Sequence, residues 1–212
     1  VSEIPRIMAI VPLLATRVNP DHGHIQLTER RRNTMPMIDA LWPEDALTPE
    51  AEARLVKELS DILIMAEGYD PASQIAQRAT VFHLHRPAAI YVGGERTDTV
   101  RYRVIPSVPE GQYTDESRRS LVREVTEAVA RAENRPFDDV APRVWVFPTE
   151  IPDGAWGTRG AIRMLPDIHA LLAGESERGA GVRRLARRRL EKARITLEAA
   201  LDAASAGIAS KP

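Results

Sequence analysis

The chain is 212 residues long, 43% hydrophobic but only 5% aromatic, with no cysteine and a formal net charge of −1. That length holds one sizeable core or two small ones. Lacking cysteine, it has no disulfide scaffold, thiolate zinc site or cysteine nucleophile, its balanced charge gives no pull toward nucleic acid, and the composition suits a cytoplasmic enzyme.

The apolar run IMAIVPLLA, residues 7–15, is the first feature along the chain. It falls short of the roughly 18–20 residues a membrane span needs. Pro12 interrupts it and no small-residue cleavage site follows, so it makes a poor signal peptide. No membrane partner is expected. A first strand is predicted over 36–42, closed by Pro43-Glu44, since proline removes a ladder donor. Thr48 stands where an N-cap belongs, with Pro49 at the first helical position. Leu55, Leu59, Ile62 and Leu63 recur at helical spacing, and Asp70-Pro71 is the expected end of that helix. A second strand, TVFHLH (80–85), and a Gly93-Gly94 turn follow.

The same order then repeats. At an offset of 66 residues, 42–67 and 108–133 share nine of 26 positions: Pro43/Pro109, Glu44/Glu110, Thr48/Thr114, Glu50/Glu116, Leu55/Leu121, Val56/Val122, Glu58/Glu124, Ala66/Ala132 and Glu67/Glu133. The second copy has a strand over 102–108, a helix capped by Thr114 and ended by Arg135-Pro136, and a strand RVWVFP (143–148) before the glycine-bearing IPDGAWGTRG. Each unit reads strand, helix, strand, with a right-handed crossover. Two such units predict an α+β fold: a tandem βαβ repeat forming a four-stranded sheet with two helices on one face. The uncovered sheet face calls for a symmetric oligomer. The expected organisation is an extension over 1–35, a two-unit domain over 36–172 (36–100 and 101–172), and a basic helical tail over 173–212.

The stretches MPMIDALWPEDALTPEAEARLVKELSDIL, RYRVIPSVPEG and IPDGAWGTRG resemble the tautomerase superfamily in its fused, two-unit form, over residues 35–170. The resemblance implies a homotrimer with a 4-oxalocrotonate-tautomerase-like or MIF-like fold and no cofactor. It also implies catalysis by an amino-terminal proline, here Pro36 after removal of Met35. The chemistry explains the demand. An internal proline nitrogen is an amide, whereas a terminal one is a secondary amine able to take and return a proton. The α-amino group ordinarily titrates near 7.7–8.0, and burial or a nearby cation lowers that value toward working pH. Two readings of residues 1–35 stay open: translation starts at Met35 and Val1 records a valine-type start codon, or the extension is real and is either cut off or leaves Pro36 blocked.

The offset carries Pro36 onto Tyr102, flanked by Arg101 and Arg103. Residues two apart on a strand share a face, and arginine pairs bidentately with carboxylates. Both are expected to bind substrate carboxylate near Pro36 and to stabilise an enolate, with Trp145 as a pocket wall or a core residue. His83 and His85 share a strand face without a third ligand, so no metal is expected. Glu150 is a candidate for water activation, Trp156 for the subunit interface, and Asp39 for pairing with an arginine of the second unit. His22 and His24, in the leader, are set aside.

A last helix is predicted from Gly181. Seven of its residues 182–194 are basic, with Val182, Leu185, Leu190, Ala193, Leu197 and Leu201 forming an apolar stripe. A docked helix or solvated tail is the plainer reading, and nucleic acid an unsupported one. The leading function is therefore an isomerase (tautomerase) acting on a small keto, enol or unsaturated carboxylic acid. Hydration or dehalogenation on the same site, and a non-catalytic trimer with Pro36 blocked, are the alternatives.

Overall fold

The structure, a computed structural model, describes residues 36–158 and 160–209. The leader features, including the apolar run at 7–15 and His22 and His24, lie outside the described residues.

The first unit runs β1 (Met37–Leu41), α1 (Pro49–Ala66), a short α2 (Gln74–Ala79) and β2 (Val81–His85). The second runs β5 (Tyr102–Pro109), α3 (Asp115–Glu133), a short α4 (Phe137–Val140), β6 (Val144–Val146) and β7 (Thr149–Ile151). Between the units lies a hairpin of β3 (Ile90–Val92) and β4 (Glu95–Thr97), turned at Gly93-Gly94, where φ values of +61° and +88° favour glycine. The main sheet has the order β2-β1-β5-β6, with β7 also on β5. β1 pairs parallel with β2 and antiparallel with β5, and β5 pairs parallel with β6 and β7. Four strand positions thus hold five strands, because the predicted strand over 143–148 is interrupted. Its register against β5 is the same before and after the gap. Proline supplies the reason: Pro148 has no N–H to donate, and the shared register sets it opposite Pro106.

Both helices lie on one face, as expected. Leu55, Leu59, Ile62 and Leu63 of α1 and Leu121, Val125, Ala128 and Val129 of α3 pack on Ile38, Ala40, Trp42, Tyr102, Val104 and Val108. Thr48 accepts the Ala51 N–H, and Thr114 and Ser117 form a reciprocal capping box. The helices end sooner than Pro71 and Pro136 predict. Gly68 (φ +80°) follows the cap of α1, and Asn134 (φ +52°) caps α3 in the left-handed region. The prolines therefore sit in the loops beyond.

The opposite sheet face bears Met37, Asp39 and Leu41, His83 and His85, Arg103 and Ile105, and Trp145, alternating with the helix-side residues. After β7 come the small hairpin of β8 (Gly157–Thr158) and β9 (Ala161–Ile162), then α5 (Leu165–Ala173) and the 32-residue α6 (Arg178–Ala209). The sequence pattern missed α5, and α5 packs against α6 rather than on the sheet.

Candidate active site

Pro36 is buried immediately ahead of β1, and its carbonyl accepts the Val81 N–H at 2.9 Å. The antiparallel junction decides what lies beside it. Met37 is opposite Ser107 and Leu41 opposite Arg103, so Pro36 adjoins the C-terminal end of β5. Arg103 stands about five residues back along that strand, about 17 Å away. Within one protomer, Pro36 and the two arginines do not form one site. This corrects the expected juxtaposition: an offset that maps Pro36 onto Tyr102 also maps it to the far end of an antiparallel pair. Arg101 immediately precedes β5. Its Nε is buried and has no hydrogen-bond partner among the described residues.

Arg103 lies exposed on the open face, opposite Trp145, with its guanidinium 5.5 Å from the Phe147 ring centre. Trp145 is 60% exposed and meets Phe147 edge-on at 6.5 Å. It lies on an edge position of the sheet, not in the core. Arg103, Trp145 and Phe147 thus form a cationic-aromatic patch at the opposite end of β5 from Pro36.

Asp39 does not pair with an arginine as expected. Its carboxylate contacts His85 Nε2 at 2.9 Å and His83 Nδ1 at 3.7 Å, because the parallel register of β1 and β2 sets those histidines beside it. No metal-holding cluster of three or more ligating side chains occurs among the described residues. Glu150 is not free to activate water. Its Oε1 accepts the Gly111 N–H at 3.1 Å, and its Oε2 accepts Arg188 Nε at 2.9 Å and Arg118 Nη2 at 3.2 Å. Trp156 is half-buried, and its carbonyl accepts the Arg163 N–H at 2.8 Å across the β8–β9 hairpin.

Sequence reasoning missed a buried polar chain at the Pro36 end of the sheet, where α1 ends and β5 leads into α3. Tyr69 Oη meets His169 Nδ1 at 2.7 Å and accepts from Gln112 Nε2 at 2.9 Å. Arg184 Nη1 donates to Gln112 Oε1 at 2.9 Å and to the Glu67 carbonyl at 2.7 Å. Burial pushes the Glu67 carboxyl up to about 8, against the opposing pull of the Arg184 charge. Burial also pushes Tyr69 up to about 12 and, with Arg184, lowers His169. A signal for this was present, since Glu67 and Glu133 are one of the repeated identities. At the other end of the sheet, Glu133 takes a two-pronged bond from Arg143, at 2.9 and 2.6 Å. Burial works to raise the Glu133 carboxyl, yet the Arg143 bonds hold it below the usual range.

The basic run of α6 is mostly committed to the body. Arg188 reaches Glu150, Asp115 and Glu191, Lys192 reaches Glu110 at 2.8 Å, and Arg189 lies within 3.8 Å of Glu110 and Asp153. Arg188, Arg189 and Lys192 thus already have carboxylate partners on the body. No described helix is long and apolar enough to cross a membrane.

No protein-family model matches this chain, and no curated protein matches it. Among solved structures it is similar to a fused 4-OT wild-type asymmetric trimer, at 22% identity over 60% of this chain and 95% of that one, with a TM-score of 0.49. It is similar also to a fused 4-OT wild-type symmetric trimer, at 24% identity over 66% of this chain and 99% of that one, with a TM-score of 0.48. A third is the macrophage migration inhibitory factor of Toxoplasma gondii, at 14% identity over 60% and 100%, with a TM-score of 0.46. The tandem βαβ fold of the described core is the one that the resemblance to the tautomerase superfamily implied.

Proposed function

We propose that the two-unit core is a tautomerase-like isomerase of small keto, enol or unsaturated carboxylic acids, working when the chain begins at Pro36. The observation that carries this reading is the position of Met35-Pro36: the proline stands buried at the head of β1, where the repeated architecture starts. Freed of Met35, its nitrogen is a secondary amine. Enclosure disfavours the protonated form, so the amine takes a proton from the carbon beside the substrate carbonyl and returns it at the other end of the enolate.

Arg103, with Arg101, binds the substrate carboxylate, and Trp145 walls the pocket. Since Arg103 lies about 17 Å from Pro36 in one protomer, with Trp145 opposite it, these residues serve the proline of a neighbouring copy. The open sheet face, with Met37, Leu41, Ile105 and Trp145, is the surface through which three copies close a ring. The hydratase or dehalogenase reading needs an acid to activate water, and Glu150 is held by Arg118, Arg188 and Gly111.

The test compares the chain starting at Pro36, the same chain with Pro36→Ala, and the full 212-residue chain, each with phenylenolpyruvate. Blocking the amine as an internal amide in the full chain should cost about 10²–10⁴-fold in turnover, whereas the alanine variant, which exchanges the secondary amine for a primary one, should lose less. Equal activity in the Pro36→Ala variant refutes a role for the proline ring's secondary amine. Activity in an intact full chain refutes the need for a free amine.

A further inference from the structure

Helix α6 is amphipathic in the reverse of the usual sense. The face it turns to the body carries Arg184, Leu185, Arg188 and Lys192, through the bonds to Gln112, Glu67, Glu150 and Glu110. At about 100° per residue, Val182, Ala186, Leu190, Ala193, Leu197, Leu201 and Ala204 fall together on the opposite side. They are exposed along the whole stripe: Val182 53%, Leu190 73%, Leu197 64% and Leu201 67%. A surface helix ordinarily turns its apolar side inward, so this stripe is an uncovered seam about 33 Å long.

Its spacing is that of a helix–helix contact. Intervals of four, four and three residues repeat from Val182 to Ala204, the eleven-residue period that keeps a seam in line along a nearly straight helix. Ala186, Ala193 and Ala204 break up the larger side chains, which allows close approach of a second helix. Beyond Lys192 every described side chain of α6 is exposed, so the last turns extend past the body with no described residue packed on them.

We propose that this stripe is a self-association seam, on which α6 of a second copy of this chain lies antiparallel. Charge sets the direction. The anchored half carries Arg183 and Arg187, which make no ion pair among the described residues, whereas the free half carries Glu198 and Asp202 against Arg194 alone. Antiparallel pairing lays each acidic free half along the other copy's basic anchored half. It also sets Arg194 of each beside Glu198 of the other, about a two-fold axis near residue 196. Parallel pairing would bring Arg187 and Arg194 of one helix against Arg189 of the next, like charge on like. A lipid surface suits the stripe less well: it has no aromatic residue, and the acidic free half is repelled by anionic headgroups.

The seam faces away from the sheet and does not depend on the proposed catalysis. A two-fold contact of this kind joins assemblies in pairs, so closure of the core into trimers would give six chains. Native mass spectrometry and sedimentation of the full chain, beside the L190E/L197E/L201E variant, provide the test. The wild type should form an assembly of twice the variant's mass, and since all three positions are exposed the variant folds normally. Equal masses overturn the proposal. Because the chain has no cysteine of its own, single cysteines read the direction. Leu197→Cys should cross-link on oxidation, whereas two Ala204→Cys copies, about 25 Å apart, should not. Equal cross-linking at both positions overturns the antiparallel arrangement. Equal masses together with vesicle binding to phosphatidylserine–phosphatidylcholine, lost in the triple variant, would instead assign the stripe to a lipid surface.

Discussion

Replacing Glu150 with alanine should release the C-terminal arm while leaving the βαβ core folded. The carboxylate is 8% exposed and holds three groups at once: Gly111 N–H, Arg118 and Arg188, the last itself only 7% exposed. Removing the acid from a buried pair costs about 3–5 kcal/mol when the cation is stranded. Arg188 would keep Glu191 at 2.7 Å and Asp115 at 3.4 Å, which places the expected loss at the low end, about 3 kcal/mol. Hydrogen exchange resolves where that loss falls, since docked segments open separately from the core. Amides of residues 182–192 should lose about a hundredfold in protection, at 1.4 kcal/mol per factor of ten, while those of β1 and β5 stay as they are. Glu150→Gln, which keeps an acceptor for Gly111, should fall between. Added salt should mimic neither variant, because screening acts weakly on a buried pair. Unchanged protection in α6 of the alanine variant would refute the reasoning. The arm would then be held by Leu185 with the Arg184 and Lys192 bonds, independently of Glu150.

Two other perturbations probe the same junction. The Glu67 carboxyl titrates near 8 in the folded protein against an ordinary value of 4.5, so the folded state carries the extra proton between those values and stability falls as pH rises from about 5 to 8. Glu67→Gln should flatten that slope in urea melts taken across this range, and an unaltered slope would show that Glu67 is not its source. Gly111 has φ +95°, and a Cβ there would stand 2.8 Å from Leu165 Cδ2 and 3.1 Å from Leu185 Cα. Gly111→Ala should therefore cost about 1–3 kcal/mol, seen as faster exchange in α5 and α6. Unchanged exchange in both helices would show that the arm does not need this close approach.

The strands, both long helices and their caps were legible because each rests on local chemistry: alternation on β1 and β5, the Leu55-Leu59-Leu63 stripe, and the threonines at 48 and 114. The break at Phe147-Pro148 was written in the sequence too, but only the pairing of Pro148 against Pro106 makes it a gap rather than an end. Candidate site residues fared less well for a topological reason. A repeat offset tells which residues are equivalent, and says nothing of whether equivalent residues are neighbours. In an antiparallel junction they are placed furthest apart, which is why Arg103 lies far from Pro36. Asp39 found histidines instead of an arginine because its nearest side chains come from β2, whose register no spacing in the sequence reveals. The polar chain from Glu67 to His169 joins residues a hundred positions apart, beyond the reach of any periodicity.

That same junction has a consequence for how the two halves of the chain can change. A polypeptide has a single amino terminus, so of two fused units only the first can ever present a terminal amine. The equivalent position in the second unit is released from that demand and here holds Tyr102, walled in by aromatic contact with Trp42 at 5.8 Å. At that end of the sheet, the end of α3 and Arg143 border a cavity of about 510 Å³ that also reaches Thr48 and Asp98. Fusion has thus made two ends of one sheet chemically unlike. On the proposed mechanism one end is constrained by the work of its first residue, and the other is open to new lining residues without loss to the first.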